Sequence, residues 1–462
     1  MKTIASRPAR TLPDVMAPRL RRDNGAGKRR LLALTGVCAA IAAAPVQAID
    51  FGPFTLTGFA KTEATLVTNQ CRDCQLHPDE DKQRFWADEL VPGKPYQTTG
   101  NSVVLMQPYL GAEFDLGRGF RLNGLLSQRW RDGRQDIDGF WYERNIAISH
   151  EDYGSVRLGD MTTRSWSIAD YPYGTNVNVA DVWGASGAGY GILKNALRYT
   201  SRLLDVAEGD LVLEVTHSQG NTDFKLHKPH FWEIYAQYRR GDLVVDAMLQ
   251  HTKNGRPTAW GHGPFWQPSD SVADDSLIGG SGQGIGMVMG RYQLSSKIEI
   301  SGGLRRNQWS GAHAVITQPE SFNYLGQQVQ EGLWSPMFNV DWGGSIGGLQ
   351  NPGYSANSID YMLGVRYRMG KWTPAAGLVH LGKASTDNPS ERGQSNSATV
   401  TTVGVNYDYG DGIQLYAFAG LVHYDRLGLA PMSMPGNSSF TNVDSRVVRN
   451  GAWMGLGAVY VF

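Results

Sequence analysis

Sixteen segments of the chain alternate apolar with polar residues, and the connections between them alternate short with long. A closed antiparallel sheet with all its long loops on one side satisfies both rhythms. In Phe54–Leu66, residues Phe54, Leu56, Gly58, Ala60, Ala64 and Leu66 share one face, and Thr55, Thr57, Lys61 and Glu63 share the other. The same pattern recurs at Val103–Leu116, Phe120–Arg131, Phe140–Ser149, Ser155–Asp160, Asn195–Thr200, Asp210–Ser218, Phe231–Arg239, Leu243–His251, Gly284–Tyr292, Lys297–Asn307, Ile359–Arg368, Trp372–Leu381, Ala398–Tyr407, Ile413–Tyr424 and Ala452–Phe462. A tilted strand needs about ten residues to cross a bilayer, and most of these segments come near that length. Short connections such as Gly117-Arg118-Gly119 and Gly410-Asp411-Gly412 carry the residues that tight hairpins require. The intervening ones, such as Val67–Ser102 and Met161–Lys194, are long. The last segment ends on a bare aromatic, with Phe462, Tyr460, Ala458, Leu456, Met454 and Ala452 all apolar on one face. Such a strand needs a partner strand and an apolar medium. The expectation is an all-β fold: a transmembrane antiparallel β-barrel of about 16 strands, with long external loops and short periplasmic turns.

Composition agrees with a wet interior. The chain is 41% hydrophobic with 56 glycines, and it has no run of apolar residues long enough for a membrane helix. Lys28-Arg29-Arg30, the apolar run Leu31–Ala44 and Val46-Gln47-Ala48 read as an export peptide cleaved after Ala48, with Met16 as an alternative start. The division expected is therefore a signal peptide over 1–48 and a barrel domain over 49–462, placed in the outer membrane. Residues 1–48 carry nine Lys/Arg and two Asp/Glu, so the remainder is acidic by seven charges although the whole chain sums to zero. No basic block points to nucleic acid. Cys71 and Cys74 form a Cys-x-x-Cys in a polar stretch of an exported chain. A small loop disulfide is the simplest reading, and a metal or redox site would need further ligands.

Several short runs carry a family resemblance. Tyr153-Gly154-Ser155-Val156-Arg157-Leu158-Gly159-Asp160 resembles the fifth strand of the Gram-negative general diffusion porins. Asn195-Ala196-Leu197-Arg198-Tyr199-Thr200-Ser201 is similar to the segment after their constriction loop. Tyr407-Asp408-Tyr409 through Leu415-Tyr416-Ala417 resembles their penultimate hairpin, and Phe462 fits their terminal aromatic. The chain departs from the family in Val459-Tyr460-Val461, in the Gly410-Asp411-Gly412 turn, and in lacking Pro-Glu-Phe-Gly-Gly in the third loop. The resemblance implies a homotrimer whose first loop reaches a neighbour, contact with outer-membrane lipid and lipopolysaccharide, and a Phe462 read as an assembly signal by the outer-membrane assembly machinery. It also implies that 161–194 folds inward as a constriction loop.

Strand phase then nominates a pore wall. With apolar positions toward lipid, Lys61, Arg121, Arg129, Arg157, Arg198, Arg305, Arg366 and Arg368 face the lumen, as do Glu63, Glu113, Glu143, Glu214, Glu233 and Glu299. The constriction expected from phase and family together sets Lys61, Arg121, Arg157 and Arg198 against Asp170 and Asp181 of the third loop. That loop also carries Trp166, Tyr171, Tyr173, Trp183 and Tyr190, which either stack on sugars or pack the loop to the wall. His217, His251, His380 and His423 fall on different strands, mostly in the apolar phase, with no nucleophile or metal-ligand spacing. No enzyme activity, metal or other cofactor is expected. The function expected is passive diffusion of ions and small hydrophilic solutes, with a substrate-selective channel for a sugar or small organic ion as the alternative. The acidic net charge argues for cations and the row of lumen arginines for anions.

Overall fold

The computed structural model describes residues 48–68, 82–84, 90–92, 98–135, 140–164, 192–219, 230–253, 281–311, 320–324, 327–331, 355–383, 385–387, 397–425 and 450–462. Its principal strands are β1 (Phe54–Thr68), β2 (Thr98–Gly117), β3 (Phe120–Ser127), β4 (Glu143–His150), β5 (Gly154–Thr162), β6 (Ile192–Thr200), β7 (Gly209–Ser218) and β8 (His230–Arg240). The remainder are β9 (Leu243–Lys253), β10 (Ser281–Gln293), β11 (Ile298–Gly311), β12 (Ser355–Tyr367), β13 (Trp372–Leu381), β14 (Ala398–Gly410), β15 (Ile413–Tyr424) and β16 (Asn450–Val461). Each pairs antiparallel with its sequence neighbours, and β1 pairs with both β2 and β16. The sheet is a closed barrel of 16 strands, as the sequence rhythm required. Short strands supplement it: Trp130–Arg131 resumes the line of β3 against Leu105 and Met106, and Ile49–Phe51 lies along Phe54–Leu56.

Burial is inverted relative to a soluble protein. Ile146, Ile148, Leu249, Leu304, Leu421 and Leu456 are 49% to 65% exposed, all in the outward phase. Glu63, Gln107, Glu143, Glu214, Glu233, Asp246, Arg305 and Asp360, all in the inward phase, are at 2% or less. In water, each exposed aliphatic side chain would forgo about 2 kcal/mol of burial free energy. Against hydrocarbon the outer belt is at home, and the polar inner face suits a water-filled lumen. Outward aromatics near strand ends include Phe120, Trp232, Trp372 and Tyr460, with Trp372 packed on Tyr407 at 4.6 Å. Tyr142, also near a strand end, differs from these. Its side chain is buried on the inner side, where Arg129 Nη1 donates to its hydroxyl at 3.2 Å.

Hairpin chemistry follows the turn residues. Gly117, Arg118 and Gly119 all take positive φ, as do Gly410, Asp411 and Gly412. In both turns the first glycine N–H donates to a carboxylate two residues earlier, Asp115 at 2.7 Å and Asp408 at 3.0 Å.

Closure concentrates at Gly58. Its N–H donates to the Phe462 carbonyl at 2.9 Å, and the Phe462 N–H donates back at 3.0 Å. A Cβ at position 58 would lie 2.7 Å from the Gln107 carbonyl oxygen and 2.8 Å from the Phe462 ring. Gly58→Val is therefore expected to destabilise the closed barrel by about 1–3 kcal/mol. The check is the fraction of refolded protein that keeps the compact, heat-modifiable electrophoretic mobility. A fraction equal to that of the parent would contradict this account of the seam.

Candidate functional site: the inner wall of the barrel

The densest inward cluster spans β4 to β9. Arg157 on β5 stands directly opposite Arg198 on β6, with both side chains inside. Two like charges side by side need counter-charges, and β4, β7 and β8 supply Glu143, Glu214 and Glu233. The Arg198 guanidinium donates to Thr216 Oγ1 and to the Thr162 carbonyl, each at 2.8 Å, and lies 3.8 Å from Glu233. Arg157 Nη1 donates to Asn145 Oδ1. Glu143 accepts from the Thr162 N–H at 3.2 Å.

Arg164 ties this cluster to the start of the third long connection. Its guanidinium makes a two-point ion pair with Glu214, through Nε to Oε2 and through Nη2 to Oε1. Its backbone N–H donates to Glu233 Oε1 at 2.8 Å, and its guanidinium lies 5.5 Å from the Tyr235 ring centroid. Tyr235 donates to Asp246, which also accepts from Gln237 Nε2 at 2.7 Å. Charges and backbone from six strands thus fix the point where the chain leaves β5 for residues 165–191.

Smaller groups occupy the rest of the wall. Lys61 Nζ sits 3.0 Å from Glu63, whose other contacts include the Tyr416 hydroxyl at 2.8 Å. Asp360 accepts from Arg305 Nη2 at 2.9 Å, Asn307 Nδ2 at 2.7 Å and the Gly382 N–H at 2.9 Å. Arg366 Nε donates to Glu299 at 3.0 Å. Arg121 lies 3.6 Å from Glu113 beside the Gly117–Gly119 turn.

The residues nominated from sequence therefore separate. Arg157 and Arg198 come together. Lys61 points inward but on β1, beside its own carboxylate. Arg121 faces Asp115 on β2, ten residues along that strand from Leu105, the partner of Lys61. It belongs to the periplasmic end and not to the level of Lys61. Asp170, Asp181, Cys71 and Cys74 lie outside the described residues. Phase counting missed Arg164, because period two carried on from Arg157 puts position 164 on the lipid side, whereas the chain turns inward after Thr162. Asp360 shares the phase of Arg366 and was available to the same count.

A charged lumen inside a closed 16-strand barrel with an apolar outer belt defines a passive outer-membrane channel. The family model for Gram-negative porins matches residues 31–427, and the chain belongs to that family. In-vitro folded OmpT, an outer membrane protein of Vibrio cholerae, superposes with a TM-score of 0.52 at 12% identity, covering 90% of this chain and 100% of that one. An anion-selective porin from Comamonas acidovorans also gives 0.52 at 12%, with coverages of 88% and 99%. The outer membrane channel DcaP of Acinetobacter baumannii gives 0.51 at 11%, with 88% and 97%. At these identities the likeness is one of fold. No curated protein matches the sequence significantly.

Breaking one side of a buried ion pair leaves an uncompensated charge, at a cost of about 3–5 kcal/mol. Arg164→Ala should lower stability by that order, read as a reduced urea midpoint of the detergent-folded barrel. Arg164→Lys should recover only part, because an ammonium cannot reproduce the two-point contact. An unchanged midpoint for Arg164→Ala would show that the Glu214 pair does not anchor this corner.

Proposed function

We propose that the channel is a general diffusion pore with weak preference between cations and anions. The observation that carries this reading is local neutralisation. Lys61 with Glu63, Arg121 with Glu113, Arg164 with Glu214, Arg305 with Asp360 and Arg366 with Glu299 each set opposite charges side by side on the wall. A passing ion then meets dipoles more than a field of one sign, and small polar solutes exchange bulk water for a hydrated, hydrogen-bonding surface. Arg157 and Arg198 form the basic side of the narrowest part, with residues 161–194 as the inward-folded constriction loop and Asp170 and Asp181 opposing them. The pore acts as no enzyme and needs no cofactor.

The mature chain begins after a cleaved peptide at 1–48, and Cys71 with Cys74 closes a small external disulfide. Phe462, seated on Gly58 at the seam, serves as the assembly signal. The working unit is a homotrimer embedded among lipid and lipopolysaccharide. The trimer form of in-vitro folded OmpT of Vibrio cholerae supports that reading by fold, with a TM-score of 0.52 at 14% identity.

In planar bilayers under a potassium chloride gradient, the expected reversal potential is small, with cation and anion permeabilities within about threefold of each other. A potential close to the Nernst limit for either ion would overturn the balanced-wall reading. Saturable block of the current by one sugar or organic ion alone would favour the substrate-selective alternative.

A further inference from the structure

One cation on the outer face stands without a counter-charge among the described residues. Arg306 follows the buried Arg305 on β11, so its side chain takes the outward phase, and it is exposed. It shares a rung with Leu249 of β9, Gly286 of β10 and Ile359 of β12. Leu249 and Ile359 are 62% and 61% exposed and belong to the apolar belt. Among the described residues, no carboxylate and no hydrogen-bond acceptor engages the Arg306 side chain. The described outward positions of β9 to β12 carry neither Asp nor Glu.

Depth decides what can reach this charge. Ile300 pairs with Tyr292 at the periplasmic end, and Arg306 is six residues further along β11. A strand tilted by about 40° climbs about 2.5 Å per residue, which puts Arg306 about 15 Å up an apolar band about 25 Å tall. From there its stem extends along the belt and carries the guanidinium to the outer headgroup level. Further toward the outside, Gln308 on β11 and His251 and Lys253 on β9 continue the polar patch, all exposed. The strand between them offers no side chain. Gly284 pairs with His251 and Gln308, and Gly286 pairs with Leu249 and Arg306. A Cβ would meet nothing closer than 3.5 Å at Gly284 and 3.4 Å at Gly286, so packing within the barrel does not demand glycine at either place. The result is a bare strip of β10 backbone between flanking strands about 10 Å apart, on which a hydrocarbon chain can lie.

We propose that this patch seats one molecule of lipopolysaccharide, with a headgroup phosphate held by Arg306 and Lys253 and an acyl chain along Gly284 and Gly286. A guanidinium fork matches two phosphate oxygens, and the apolar surroundings strengthen the contact. His251 and Gln308 hydrogen-bond the remainder of the headgroup. A second copy of the chain is the competing occupant, and the patch faces away from it. In the ring of 16, β10 stands across from β2, whose connection to β1 is the one expected to reach a neighbouring subunit. The inference rests on the outer-membrane channel reading and gives its lipopolysaccharide contact a place. Conductance in planar bilayers tests that reading separately, because Arg306 faces away from the lumen.

The test is native mass spectrometry of the detergent-folded channel, titrated with diphosphoryl lipid A, the phosphorylated anchor of lipopolysaccharide. Parallel titrations use its dephosphorylated form and phosphatidylglycerol. Arg306→Leu should need about tenfold more lipid A than the parent to retain one molecule per chain, as expected when one charge-assisted contact is lost. Arg306→Lys should fall between the two. Gly286→Leu, which keeps the charge and fills the strip, should also weaken retention. Leucine suits the belt at both positions, and heat-modifiable mobility reports that each variant is folded. Equal retention by the parent and Arg306→Leu, retention indifferent to removal of the phosphates, or equal retention of phosphatidylglycerol would overturn the lipopolysaccharide seat. Arg306→Leu shedding subunits in place of lipid would overturn it in favour of a contact between copies.

Discussion

Hydrocarbon offers no partner for a backbone N–H or C=O, so every strand that crosses it needs two neighbours. That single requirement organises this molecule. β1 finds β2 on one edge and β16 on the other, and the ring of hydrogen bonds has no free edge. Once the sheet is closed, the pleat sends alternate side chains to opposite media. Leu456 and Met454 go to lipid, while Val459 and Trp453 of the same strand go inside. The seam depends on the missing side chain of Gly58, which lets the Phe462 ring lie against the backbone.

Closure also explains why the lumen is charged and yet locally neutral. A 16-strand barrel is too wide for side chains to fill, so its inner face can hold polar groups. The same low-dielectric shell surrounding the lumen makes an isolated charge costly, and an inward group of opposite charge nearby answers it. Arg164 with Glu214, Arg305 with Asp360 and Lys61 with Glu63 all follow this rule.

Most of the fold was legible in the sequence, because strand phase depends only on period two. The face read for Phe54–Leu66 is the face observed, and Glu143, Glu214 and Glu233 were assigned to the lumen by the same count. What period two cannot supply is height. Arg121 and Lys61 share a phase yet lie ten residues apart in register along β2. Nor does it survive irregular backbone. Gly159 takes a φ of 125° at a register shift between β5 and β6, and Asn195 opposite takes 50°. Around this bulge Asp160 meets both Arg144 and Lys194. Arg164, just beyond the end of β5, escaped the count for a related reason, although it makes a two-point ion pair with Glu214.

The central claim is that the inner face encloses a continuous aqueous path for passive diffusion. Swelling of proteoliposomes in isotonic neutral solutes of graded size tests it most directly. The account predicts swelling whose rate falls smoothly with solute size and rises linearly with concentration, without saturation. Absence of swelling with the smallest solutes, from protein shown to be folded and inserted, would contradict it.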